Sequence, residues 1–164
     1  MLEIHGFQKT TLLDYPGYLA CTVFFGGCNF RCPFCQNAGL VLRPDEEPVI
    51  PEDDVLAFLK KRRRVLDGVC ITGGEPTLEP ELPELIRSIK ELGYLVKLDT
   101  NGTHPAIVRK LAEEKLIDYV AMDIKSSREH YARLAGNSSE KLLAVVEETA
   151  AFLMEGDLDY EFRT

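Results

Sequence analysis

Short apolar runs alternate with amphipathic stretches along most of this chain. Runs of strand character, rich in Val, Ile, Tyr and Phe, cover residues 19–25, 69–72, 94–99, 119–124 and 158–163. Between them the apolar positions recur at helical spacing. Leu82, Leu85, Ile86, Ile89 and Leu92 form one stripe ahead of Gly93, a helix stop. Pro105 opens a second helix with Ile107, Val108 and Leu111 on one side. Asn137 and Glu140 are spaced for a capping box before a third, which carries Leu142, Leu143, Val146 and Leu153. Charge marks a fourth: Glu52-Asp53-Asp54 stand at its start and Lys60-Lys61-Arg62-Arg63-Arg64 at its end, as the helix macrodipole favours.

Strands separated by helices imply parallel neighbours, because a parallel pair needs a crossover connection. The expected fold class is α/β, a partial (β/α) barrel of about five parallel strands. A full eight-unit barrel takes about 250 residues, and this chain has 164. A single domain over residues 1–164 is expected. Its first 18 residues or so, with weak periodicity and a Tyr15-Pro16-Gly17 turn, read as an extended arm or hairpin. Residues 42–51, Pro-rich and acidic, read as an exposed loop.

Composition narrows the function classes. A formal charge of -8 and a pI near 4.9 disfavour a general nucleic-acid binder. No apolar run has the length of a membrane span, and the first residues lack the basic start and apolar core of a signal peptide. A cytoplasmic enzyme domain is expected. The basic block at residues 60–64 is open to two readings, an anion or partner site and the solvated end of a helix.

Cys28, Cys32 and Cys35 lie in the run Gly-Gly-Cys-Asn-Phe-Arg-Cys-Pro-Phe-Cys-Gln-Asn, directly after the first parallel strand. Closely spaced thiolates on a loop are the usual ligands of an iron-sulfur cluster. Three of them leave one iron open to a further ligand. A structural zinc site would need a fourth Cys or His, and His5, His104 and His130 are distant in sequence. Cys21 and Cys70 sit within apolar runs and read as small core residues.

The other candidate motifs also fall after strands, where parallel α/β sheets gather their working residues. Thr72-Gly73-Gly74-Glu75-Pro76 follows the second parallel strand and Asp99-Thr100-Asn101-Gly102 the third; Asp123-Ile124-Lys125 ends the fourth and Arg163 the fifth. Paired glycines let main chain approach a ligand closely, and Glu75 offers a carboxylate to an ammonium group. Asp99 and Asp123, ending adjacent strands, could be surface acids, an acid/base pair or cation ligands. In one site their charges would repel unless a cation or proton intervened.

The C-x3-C-x2-C spacing with Phe34 before the last cysteine, together with Gly73-Gly74-Glu75-Pro76, resembles the radical S-adenosylmethionine (SAM) enzymes. Leu13-Asp14-Tyr15-Pro16-Gly17, Asp99-Thr100-Asn101-Gly102 and Met122-Asp123-Ile124-Lys125 extend the resemblance to the glycyl-radical activating enzymes. Within these it is most similar to the type acting on anaerobic ribonucleotide reductase, with pyruvate formate-lyase activating enzyme as a relative. The resemblance implies a [4Fe-4S] cluster on Cys28, Cys32 and Cys35, and SAM reductively cleaved to a 5'-deoxyadenosyl radical that takes a hydrogen atom from a glycine of a partner enzyme. It implies main chain near Phe34 facing the adenine and Gly73, Gly74, Glu75 and Pro76 at the methionine amino group. Asp123, Lys125 and Arg163 would lie near ribose and carboxylate. A monovalent cation held by Asp99, Thr100 and Asp123 is a further expectation. The implied partners are a glycyl-radical enzyme and an electron donor such as flavodoxin or ferredoxin. Relatives continue beyond residues 160–164 through another strand and helix, so a missing C-terminal barrel unit is expected. Two other classes stay open: a radical SAM enzyme acting on a small molecule, and a non-catalytic cluster-binding module.

Overall fold

The computed structural model describes residues 2–164. One six-stranded sheet runs in sequence order: β1 (Ile4–Thr11), β2 (Ala20–Phe25), β3 (Gly68–Gly73), β4 (Leu95–Thr100), β5 (Tyr119–Asp123) and β6 (Asp159–Arg163). β2 to β6 are parallel, so the five expected parallel strands are present, and β1 is antiparallel to β2. The N-terminal arm is therefore a full strand, the hairpin alternative. Its periodicity is weak for a physical reason. Ile4 and His5 are buried, while Gln8, Lys9 and Thr10 face solvent on a sheet edge and carry no apolar signal.

Six helices fill the connections: α1 (Ala38–Leu42), α2 (Glu52–Arg62), α3 (Leu82–Glu91), α4 (Pro105–Glu113), α5 (Tyr131–Ala135) and α6 (Leu142–Glu155). The apolar stripe of α3, Leu82, Leu85, Ile86 and Ile89, is fully buried. It belongs to one core with Val69, Ile71, Val96, Leu98, Val120 and Met122 of the strands and Val108, Leu111, Val146 and Leu153 of α4 and α6. Each such side chain contributes about 1.5–3 kcal/mol of burial. Cys21 and Cys70 are buried within the sheet, as their sequence context predicts.

In α2 the acids occupy the first turn and Lys60, Lys61 and Arg62 the last, the solvated-end arrangement. The capping box ahead of α6 does not form. Asn137 donates through Nδ2 to Asn29 O (3.1 Å) and accepts from Ser139 N (2.9 Å), so it braces a distant loop, and α6 starts only at Leu142. Residues 42–51 are mostly exposed but tethered at one end, where Ile50 N donates to Ile4 O (2.7 Å). Among the described residues β6 is one edge of the sheet and β1 the other. Glu161 and Arg163 turn inward to charged partners, while Tyr160 and Phe162 stack on the opposite face and remain partly exposed. Among the described residues no helix is long and apolar enough to cross a membrane.

Candidate active site

The carboxyl ends of β2 to β6 surround one cavity of about 460 Å³. A volume of that order suits a small-molecule cofactor. Cys28, Cys32, Phe34 and Cys35 line one side, Gly73 and Gly74 another, and Asp99, Thr100, Asp123, Lys125 and Arg163 a third. Every expected site residue except Glu75 and Pro76 is brought to this space.

The cysteine loop has little regular structure and is fixed from far along the chain. Arg31 N donates to Ala135 O (2.8 Å), and the Asn137 amide reaches Asn29 O. Gly136 between these two adopts the left-handed conformation (φ 61°), and a Cβ there would lie 2.5 Å from Arg31 O. Only glycine takes both the dihedral and the contact without strain. Arg31 binds back onto Cys28 O and Phe30 O, and Phe30 is buried edge-on against Tyr131.

All three thiols are half-buried on the same cavity. Among the described residues no three Cys, His, Asp or Glu side chains converge to hold a single ion. Closely spaced thiolates on one loop suit a cluster, in which each iron takes its own thiolate. Burial raises the Cys28 thiol pKa, opposed by the Phe30 N–H; it also raises that of Cys32, opposed by Lys125. Loading such a site with metal releases protons.

Gly73 and Gly74 make close main-chain contacts, and the partner is this chain itself. Gly74 N donates to Phe25 O (2.9 Å), Glu75 N to Gly27 O (2.9 Å), and a Cβ on Gly74 would fall 1.6 Å from Gly27 O. The glycine pair thus seats the segment leading into Cys28, while the Gly73 carbonyl accepts from Asn37 Nδ2 (3.0 Å).

Glu75 differs from its expected place. It is buried behind the cavity wall, and its carboxylate accepts from Thr77 N (3.1 Å), Thr77 Oγ1 (2.5 Å), Thr100 Oγ1 (2.8 Å) and Asn101 N (2.6 Å). Burial raises its pKa, and these donors work against that rise. In this structure it braces the end of β4 and lies outside the cavity lining. Pro76, buried, opens the 3-10 turn Pro76–Leu78 behind it.

Asp99 and Asp123 do share a site, and the cation between them is a guanidinium. Arg163 donates to Asp99 Oδ2 (3.1 Å) and Asp123 Oδ1 (3.0 Å). Lys97 pairs with Asp99 Oδ1 (2.5 Å) and Lys125 with Asp123 Oδ2 (2.8 Å). Burial opposes the charge on Arg163, but the two carboxylates outweigh it and raise its pKa. A monovalent cation on Asp99, Thr100 and Asp123 would have to compete at this place. Side-chain cations already neutralise both acids, and Thr100 Oγ1 is committed to Glu75.

The family model of the radical SAM superfamily matches residues 22–152. The chain belongs to that superfamily. Radical SAM proteins use a [4Fe-4S] cluster and SAM, and these are its cofactors. A Methanocaldococcus jannaschii protein provisionally named a glycyl-radical enzyme activating enzyme is 38% identical over 131 residues, 78% of this chain and 52% of that protein. The 7-carboxy-7-deazaguanine synthase of Methanopyrus kandleri is 34% identical over 122 residues, 63% of this chain and 48% of that enzyme. The chain therefore spans about half the length of these curated relatives. The solved structure of native anSMEcpe with bound AdoMet superimposes with a TM-score of 0.62 at 22% identity, over 84% of this chain and 40% of that one, and shows the shared fold.

Several residues of this radical SAM site were not singled out by sequence. Asn29, Asn37 and Asn101 all hold the cysteine loop or its neighbours, and Lys97 is a buried partner of Asp99. The three asparagines lie within the motif runs, where nothing in the sequence sets them apart from their neighbours. For Lys97 the signal was a charge inside an otherwise apolar strand.

Proposed function

We propose that this radical SAM enzyme activates a glycyl-radical enzyme, of the anaerobic ribonucleotide reductase type, by abstracting a hydrogen atom from a glycine of that partner. The carrying observation is that one cavity gathers three thiols, the Gly73-Gly74 main chain and the Asp123, Lys125 and Arg163 set at the ends of successive parallel strands. The provisional name of the 38% identical relative supports the choice of partner.

A bound cluster would supply the electron for the reductive cleavage of SAM, the source of the radical chemistry at the partner's glycine. Cys28, Cys32 and Cys35 hold the cluster as thiolates. Main-chain groups of Gly73 and Gly74 take the amino end of SAM, and main chain near Phe34, which is half-exposed at the cavity, faces the adenine. Asp123, Lys125 and Arg163 orient ribose and carboxylate. Flavodoxin or ferredoxin is the proposed reductant.

Anaerobic reconstitution followed by assay of 5'-deoxyadenosine from SAM, with and without the partner enzyme, tests this reading. The expected result is 5'-deoxyadenosine together with a glycyl radical on the partner, detected by electron paramagnetic resonance (EPR). Cys28→Ala, Cys32→Ala and Cys35→Ala each abolish the cluster absorbance, whereas Cys21→Ala and Cys70→Ala keep it. A [4Fe-4S] signal retained in the triple variant overturns the cluster assignment. The 34% identity to 7-carboxy-7-deazaguanine synthase favours a second reading, a small-molecule substrate. Turnover of a free metabolite without any glycyl radical would select it.

A further inference from the structure

Asn101 closes a ring of side chains that leaves only one orientation for its amide. Its Oδ1 accepts from Thr103 N (3.0 Å) and from Thr103 Oγ1 (2.7 Å). A main-chain N–H can only donate, so the amide atom facing it must be the oxygen. The NH2 group is thereby aimed the other way, at Asn29 Oδ1 (2.8 Å) and Cys28 Sγ (3.8 Å). Asn29 in turn donates to Thr103 Oγ1 (2.8 Å), which completes the ring. The Asn101 main chain is held independently, by Glu75 Oε2, and the residue is buried.

The three thiols are not treated alike. Cys28 Sγ faces two N–H donors, the Asn101 amide and Phe30 N (3.3 Å). Cys32 Sγ instead points its thiol at a carbonyl, Ala135 O (3.9 Å). Donors aimed at a ligating sulfur stabilise negative charge there, and the reduced state of a cluster carries one more negative charge than the oxidised state.

We propose that Asn101 is a positioning residue that sets the reduction potential of the cluster by donating a hydrogen bond to the Cys28 thiolate. This rests on the cluster reading of Cys28, Cys32 and Cys35. The step affected is the one-electron reduction of [4Fe-4S]2+ to [4Fe-4S]+ by an external reductant, in which no bond forms or breaks. Asn101 makes that reduction easier, because its N–H interacts more strongly with the more negative sulfur. Phe30 N is a fixed main-chain donor, so Asn101 is the donor to Cys28 that a substitution can remove.

The test is a mediator-based redox titration with dithionite, read by EPR on anaerobically reconstituted protein, with iron content and circular dichroism measured alongside. Asn101→Leu removes the donor. Asn101→Asp keeps the Thr103 acceptor but sets a carboxylate toward Cys28. Both are expected to lower the potential, the aspartate more. At a solution potential matching the wild-type midpoint, the ratio of reduced to oxidised cluster should fall about threefold to tenfold, on the scale of a charge-assisted hydrogen bond realised partly in both states. An unchanged midpoint in either variant at full iron content overturns the proposal. So does loss of iron from both variants with native circular dichroism, which makes the role structural. If the leucine variant alone fails to load, the aspartate variant decides. Failure of wild type to form any [4Fe-4S] signal would instead refute the underlying cluster reading.

Discussion

Glu75 and Asp99 are both carboxylates at the ends of adjacent strands, yet they are held in opposite ways. Glu75 accepts from two main-chain N–H groups and two hydroxyls, all neutral and all fixed by the turns that carry them. Asp99 is held by two cations, Lys97 and Arg163, the second on a long side chain that is partly exposed. A carboxylate saturated by neutral, immobile donors is a brace. One balanced by a movable guanidinium can exchange that partner for a ligand group. The brace keeps the cysteine loop in place, and the ion pairs make the wall on which a charged cofactor can dock.

The largest effect is expected on the braced side. Gly74→Ala places a Cβ against Gly27 O, a main-chain atom that cannot move without shifting the segment into Cys28. Overpacking ordinarily costs about 1–3 kcal/mol, and this substitution should reach or exceed the upper end. Urea unfolding and iron content should fall together. A protein of wild-type stability and full iron would show that Gly27 has room to yield.

Glu75→Gln comes next. The amide nitrogen must confront at least one of the donors now facing the carboxylate, and a buried donor left unsatisfied costs about 1–3 kcal/mol. The loss should appear in unfolding free energy while SAM affinity, measured on the variant that still loads iron, changes little. A large loss of SAM affinity at unchanged stability would return Glu75 to the ligand side and break the comparison.

On the ion-paired side the order of effects reverses. Arg163→Leu should cost only about 1 kcal/mol of stability or less, because the guanidinium is partly exposed and its pairs are screened. SAM binding should weaken more, by about tenfold, the scale of one charge-assisted hydrogen bond. Calorimetric titration with SAM on reconstituted protein checks this. A stability loss without any change in affinity would leave Arg163 a structural pair only.

What the sequence disclosed follows the same division. β2 to β5 were legible because they are largely buried on both faces and read as nearly unbroken apolar runs, as in Val69-Cys70-Ile71 and Val120-Ala121-Met122, whereas the mostly exposed β6 showed itself by the alternation of Tyr160 and Phe162 with charged residues. β1 was not fully legible, because Gln8, Lys9 and Thr10 face water on a sheet edge. Motif residues whose main chain or charge lines the cavity were found from their positions after strands. For Glu75, spacing reveals that a carboxylate is near the site but not which groups its oxygens face. Asn137 shows the same limit: its spacing to Glu140 fits a helix cap, and only the fold reveals that Asn29, 108 residues earlier, claims its amide. Short helices α1 and α5, five residues each, are too brief to show a period.

The smallest expected effect concerns alkali ions. Two carboxylates facing one cavity would ordinarily draw a cation, and potassium or sodium would be the available candidates. Here Arg163 spans both acids, Lys97 and Lys125 take their remaining oxygens, and the hydroxyl of Thr100 is turned to Glu75. An entering ion would have to compete with a covalently attached cation that readily returns to both carboxylates, and shed part of its own hydration. SAM affinity and cleavage rate should therefore differ by less than about twofold between potassium, sodium and a bulky organic cation at equal ionic strength, a range that leaves only general screening. In Arg163→Leu the bridge is gone and the carboxylates regain a vacancy, so a dependence on the alkali ion should emerge there. Strong potassium or sodium dependence in the wild type would mean that SAM binding expels Arg163 from between the two acids, and that the guanidinium holds the site only until its ligands arrive.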